Sequence, residues 1–187
     1  MTLKELQFIR DNQDLTAKQL LAYFEAPIAK QYNNRVEYRL CSKLHRTDGP
    51  AVENLNGDKF WYKHGKFHRT DGPAVEWAHG DKYWYLNGKL HRENGPAVEY
   101  FNGDKSWCLN GKRHRVNGPA IERADGYEAW WVNGQPHRIG GPALTTSDGR
   151  TEWWVNGTMH REDGPAVEHK LSGQKYYYLN GKKVDPF

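Results

Sequence analysis

The chain is predicted to be mainly β: an elongated single-layer antiparallel meander of about six repeated β-hairpins, with a small N-terminal α-helical module. Three observations predict it. A motif of the form His-Arg-x-Asp/Asn-Gly-Pro-Ala recurs at a 23-residue step, opened by His45, His68, His91, His114, His137 and His160. Nine Asn-Gly dipeptides punctuate the chain, and short alternating apolar-polar runs flank them. A period of this length marks a repeat architecture, in which one supersecondary unit stacks on its own copies.

The first residues carry no repeat and read as helical. Thr2-Leu3-Lys4-Glu5 starts a near capping box, with Leu3, Leu6, Phe8 and Ile9 on one helical face. Asp14 or Thr16 caps a second expected helix over residues 14–24. Pro27 then opens a third, from Ile28 to about Tyr38. Helices this short bury little alone, so residues 1–33 are expected to dock on the first strands as a module separate from the repeats at 34–187.

The stretch Phe8-Ile9-Arg10-Asp11-Asn12, then Leu15-Thr16-Ala17-Lys18-Gln19-Leu20, then a polar third segment ending near Asn34-Arg35-Val36, resembles the helix-turn-helix modules of tailed-phage accessory proteins. The resemblance implies a third helix in the major groove, with Lys30, Asn33, Asn34 and Arg35 facing DNA. The alternative is a helical cap that closes the first edge of the sheet.

Within a repeat, Pro73-Ala74-Val75-Glu76-Trp77 leads to a turn at His79-Gly80 and then to Lys82-Tyr83-Trp84-Tyr85-Leu86. Asn-Gly tolerates the positive φ angles of a type I′ turn, so between such runs it is a strong hairpin signal. Each unit should therefore supply two strands, after a leading half unit from Asn34 to Leu44. The stretches Asn87-Gly88-Lys89-Leu90-His91 and Asn110-Gly111-Lys112-Arg113-His114, with Trp84-Tyr85 and Trp107 upstream, resemble the MORN repeat family. This chain carries His-Arg-x-Asp/Asn-Gly-Pro-Ala where that family has His-Gly-x-Gly. The resemblance implies a single-layer sheet that scaffolds proteins or lies at membranes, and no catalysis.

Stepping by 23 residues gives an aliphatic column, Val52, Val75, Val98, Ile121, Leu144 and Val167, and an aromatic one, Trp61, Trp84, Trp107, Trp130, Trp153 and, after an insertion, Tyr177. Both are assigned to one buried stripe, where aromatic and β-branched side chains pair across strands. The opposite face would hold Phe60, Tyr62, Tyr83, Tyr85, Trp131, Trp154, Tyr176 and Tyr178 among Ser106, Cys108, Ala129 and Glu152. Tyr85, Trp131, Trp154 and Tyr178 are the expected partner-binding residues, because exposed aromatics make the anchors of interfaces.

The His-Arg pairs invite two readings. Equivalent residues two strands apart are separated by about 10 Å, too far to share a metal ion, so no metal site or cofactor is expected. A ladder of arginines could follow a polyanion. A local His/Arg/Asp clasp around the Gly-Pro turn accounts for the same residues. Catalysis needs a unique constellation, whereas these clusters occur five or six times. The fifth unit departs, with Ile139-Gly140-Gly141 and Thr145-Thr146-Ser147.

No apolar run is long enough to span a bilayer, and Cys41 and Cys108 stand far apart, so a soluble cytoplasmic protein is expected. A net charge of +4 permits nucleic acid as a partner without demanding it. The expected function is a non-enzymatic binding protein, a phage accessory that occupies a host protein such as a defence factor. DNA binding through the N-terminal module and a purely structural scaffold are the alternatives.

Overall fold

The structure, a computed structural model, describes residues 26–186 together with Gln7, Arg10, Asp11 and Thr16. Its body is one 16-stranded antiparallel sheet in which neighbours in space follow the chain order, flanked by five two-stranded hairpins. The meander and its period agree with the sequence. The detail of the unit does not.

Each unit makes two hairpins rather than one. In the second unit, Val75–Glu76 pairs with Lys82–Tyr83 in the main sheet, and Tyr85–Leu86 pairs with Lys89–Leu90 in a separate rim hairpin. Trp84 lies between the two and is joined to the neighbouring unit, donating its N–H to the carbonyl of Ala97 at 2.8 Å. The rim hairpins turn at Asn87-Gly88, Asn110-Gly111, Asn133-Gly134 and Asn156-Gly157, and Asn180-Gly181 makes the same turn between the last two strands of the main sheet; both residues of each pair have positive φ, as a type I′ turn requires. His64-Gly65 occupies the same conformation in the first unit. The other Asn-Gly pairs serve elsewhere: at Asn56-Gly57 and Asn102-Gly103 only the glycine has positive φ.

Register corrects the expected faces. Val75 stands opposite Tyr83, Val98 opposite both Tyr83 and Ser106, and Ile121 opposite Ser106 and Ala129. Directly paired residues share a face, so the aliphatic column lies with Phe60, Tyr83, Ser106, Ala129, Glu152 and Tyr176. The tryptophan column lies on the other side, opposite the alanines: Trp61 donates to Ala74 and Trp107 to Ala120. Those alanines, from Ala51 to Ala166 in steps of 23, are at most 1% exposed, while the tryptophans stay half-buried. The core is therefore thin, a plane of Ala and Val, and no large side chain is fully buried among the described residues.

The N-terminal module is corrected as well. Ile28–Gln31 and Arg35–Leu40 are strands, paired from Ile28↔Arg39 to Gln31↔Val36, where a third helix was expected. Tyr32 donates to the Arg35 carbonyl across the turn. An exposed polar stretch offers a helix no apolar face to bury, while pairing completes the ladder of the next strand. The sheet thus begins at Ile28 and crosses the expected boundary at residue 33. No helical element lies among the described residues. Gln7, Arg10, Asp11 and Thr16 are exposed, with helical backbone at the first three, and the two earlier expected helices otherwise lie outside the described residues. Among the described residues there is no helix long and apolar enough to cross a membrane.

Candidate functional site

The two faces of the sheet differ in how far they repeat. On the tryptophan face the motif loop folds back over each indole. Arg92 lies 3.9 Å from the Trp84 ring centroid, Arg115 3.8 Å from Trp107 and Arg161 4.0 Å from Trp153. In all six units the same guanidinium donates to the carbonyl of the motif proline, as Arg92 does to Pro96 at 3.1 Å. Four of them also reach a glutamate seven residues on, and three the motif aspartate. The Asp48 and Asp71 carboxyls are held below the usual aspartate range by these Arg46 and Arg69 hydrogen bonds.

The histidine belongs to a different contact from the one expected. Nδ1 of His91 accepts the backbone N–H of Asn110 at 3.1 Å, and His114, His137 and His160 accept from Asn133, Asn156 and Asn180. Each histidine directly follows one rim hairpin, as His91 follows Lys89–Leu90, and so ties that hairpin to the turn of the next. At the opposite margin Asp58, Asp81 and Asp104 do the same with the N–H groups of Ala78, Phe101 and Ala124. The Ala78 N–H is the main cause that holds the Asp58 carboxyl below its ordinary pKa. The motif thus forms the clasp and the inter-unit tie, with its guanidiniums already engaged.

The other face carries the variation. Its aromatics include Phe60, Tyr62, Phe67 and Tyr85 at the N-terminal end, stacked at 4.3 Å for Tyr62 and Phe67 and 5.2 Å for Phe67 and Tyr85. Burial, with Tyr100 and Asp81 adding to it, pushes the Tyr83 hydroxyl up to about 12, so it stays a donor. Toward the C-terminal end come Trp131, Trp154 and Tyr178. The expected contact residues Tyr85, Trp131, Trp154 and Tyr178 share one row of this face and are all half-buried. Trp154 is oriented by its indole N–H, which donates to Glu152 at 2.8 Å.

Between these two groups the aromatics stop. Ser106 and Ala129 stand where other units have Phe60, Tyr83 and Tyr176, and Cys108 stands where they have Tyr62, Tyr85, Trp131 and Trp154. The result is a groove of about 890 Å³. Its floor is Val98, Ser106, Cys108 and Ile121, and Tyr100 and Trp131 stand in its walls. Burial raises the pKa of the Cys108 thiol against the opposing effects of Ser106 and Arg113, so the side chain acts as a small apolar group.

Two arginines line the groove that the sequence reading passed over. Arg113 replaces the apolar Phe67, Leu90, Pro136 and Met159 of its column, and Arg123 follows Trp77 and Tyr100 in another. For Arg113 the break in an otherwise apolar column was the available signal, whereas the Arg123 column is mixed, with Asn54, Thr146 and His169 in it. Lys30, Asn33, Asn34 and Arg35 are placed far differently from a recognition helix. Lys30 is on the first strand, Asn33 and Asn34 make the turn, and Arg35 is paired with Glu37 at 2.7 Å.

Among the described residues no group of three or more His, Cys, Asp and Glu is placed to hold a metal ion. No protein-family model matches the chain, and no curated protein does.

Proposed function

We propose that the chain is a non-enzymatic binding protein whose variable sheet face grips a protein partner. One observation carries the reading: the Trp/Ala/Arg face keeps its ring, alanine and arginine in every unit, while the opposite face varies in its aromatic rows, and its half-buried aromatics are interrupted by a groove. Residues that only hold a repeat together need the same contacts in every unit. Residues free to differ are available for recognition, and rigid amphipathic rings such as Tyr85 and Trp131 suit it. The narrower expectation, a phage accessory protein acting on a host protein or defence factor, leans on the N-terminal resemblance, so the proposal is confined to this face and to a protein partner.

The test is selection of a displayed peptide library on the full chain, with binders retested against Tyr85→Ala and Trp131→Ala. Binders that weaken at least tenfold in both variants, while a Lys59→Ala control on the other face leaves them unchanged, support the reading. Binders indifferent to both aromatics, or none recovered, refute it.

A further inference from the structure

We infer that the groove over Ser106 and Cys108 takes an extended acidic peptide segment, with one bulky apolar side chain set between two carboxylates. This rests on the protein-binding reading above and gives the partner its chemistry.

The charge argument starts from Arg113 and Arg123. Both are exposed, and each lies over an aromatic ring, Arg113 at 5.3 Å from the Trp131 centroid and Arg123 at 4.5 Å from that of Tyr127. Neither has a carboxylate within ion-pair distance among the described residues, in contrast to Arg92 and Arg115 of the motif, which do. A guanidinium held flat on a ring keeps its N–H edge free for a bidentate acceptor. Asp104 and Asp125 also line the groove, but each spends a carboxylate oxygen on a backbone N–H, those of Ala124 and Tyr127. The groove is therefore lined by four cations, Lys105, Lys112, Arg113 and Arg123, against the two carboxylates, which leaves a surplus of positive charge.

Spacing then defines the ligand. Arg113 stands opposite Cys108, and Lys105 opposite Glu122, which sets Arg123 level with Asp104. The two arginines are thus four residues apart along the strand direction, about 13 Å at the rise of an extended chain. A peptide lying along the strands with the same rise would meet them with residues i and i+4. Residue i+2 points the same way as both, because side chains alternate with period two. It would enter the gap between them, where Ser106 and Cys108 leave the room that phenylalanine, tyrosine and tryptophan fill in other units.

The gap also supplies its own control. Ser106→Tyr and Cys108→Tyr install the residues that the preceding unit carries as Tyr83 and Tyr85, so the scaffold already accommodates them. The probe is a fluorescein-labelled nine-residue peptide of threonines with aspartate at positions 3 and 7 and phenylalanine at position 5. Binding to the full chain is followed by anisotropy at low and moderate salt, beside the thermal melt of every variant. The expected result is binding that weakens about tenfold when both aspartates become asparagine. Arg113→Gln and Arg123→Gln should each cost about fivefold, near the upper end for exposed ion pairs, and either tyrosine substitution should abolish binding with the melt intact. If both tyrosine variants melt early, the two exposed arginines still decide the matter. Acidic and neutral peptides bound equally and both lost in Ser106→Tyr would overturn the inference and leave the protein-binding reading standing. A duplex oligonucleotide that binds the groove more tightly than the acidic peptide, or no binding of any probe, would overturn it too.

Discussion

A side chain added to Gly118 would come within 2.7 Å of the guanidinium carbon of Arg115. The same closeness, 2.7 to 3.0 Å, holds for the motif glycine and arginine in all six units. The guanidinium is thus packed between an indole ring and a glycine, which accounts for the Gly of the motif without appeal to φ: at Gly118 the backbone is not in the left-handed region, whereas Gly95 is at 141°.

Gly118→Ala should therefore destabilise by about 1 to 3 kcal/mol, the usual cost of overpacking. In a cycle with Arg115→Ala the double variant should lose clearly less than the two losses added, because the clash needs the guanidinium. Urea denaturation of the four proteins measures it, and simple additivity would refute the packing.

The six clasps are unequal in charge. Arg92 meets Pro96, Glu99 and Trp84, while Arg138 has only Pro142 and Trp130, since Gly140 and Thr145 replace the acids. Arg92→Ala is expected to cost about 2 to 3 kcal/mol and Arg138→Ala about 1 kcal/mol less, the difference being one charge-assisted hydrogen bond. Arg92→Lys should lose most of what Arg92→Ala loses, because an ammonium neither stacks flat nor forks. Equal melting temperatures for the Arg92 and Arg138 variants would contradict this.

Acid should weaken the fold through His45. It is buried, and burial, followed by the nearby charges of His64 and Lys63, lowers its pKa below 6.5. Its Nδ1 accepts the His64 N–H at 3.1 Å, which only the unprotonated nitrogen can do. With the folded value below the unfolded one, the unfolded chain binds more protons. The His45 contribution is complete above about 6.5 and is lost as pH falls through the lower folded value. Stability of the wild type measured from pH 7.5 to 5 should fall more steeply than that of His45→Asn; parallel profiles would exclude the effect.

The two thiols should separate cleanly. Cys41 is exposed, whereas Cys108 is 4% exposed and its ionisation is suppressed by burial. At neutral pH iodoacetamide should modify Cys41 alone on the folded chain, and Cys108 only after denaturant. Mass spectrometry of a time course checks this, and comparable rates would count against a buried floor in the groove.

What the sequence made legible was whatever is periodic and local. The 23-residue step and the rim turns at Asn87-Gly88 and its equivalents were readable, because only a few residues accept positive φ. The variable aromatic face was readable too, since Tyr83 and Tyr85 stand two residues apart and keep one face although they fall in different hairpins. Register was not: whether Val75 shares a face with Tyr83 or with Trp84 depends on the turn between Trp77 and Asp81, and a shift of one residue reverses the answer. The histidine contacts were hidden for a related reason. His91 and Asn110 are 19 residues apart, and nothing local signals such a tie. At the N-terminal side Pro27 suggested a helix start, and the Asn33-Asn34 turn with strand pairing to Val36–Arg39 prevailed.

The ties at both margins run forward to the next hairpin and no further: histidine to the turn 19 or 20 residues on, aspartate to the turn 20 residues on. Such a molecule has no keystone. Pulled from its two ends it should unravel like a zip, one unit at a time, each step paying out 23 residues, or about 80 Å of extended chain. The units still folded would keep their shape throughout, since each is held by its neighbours rather than by the whole.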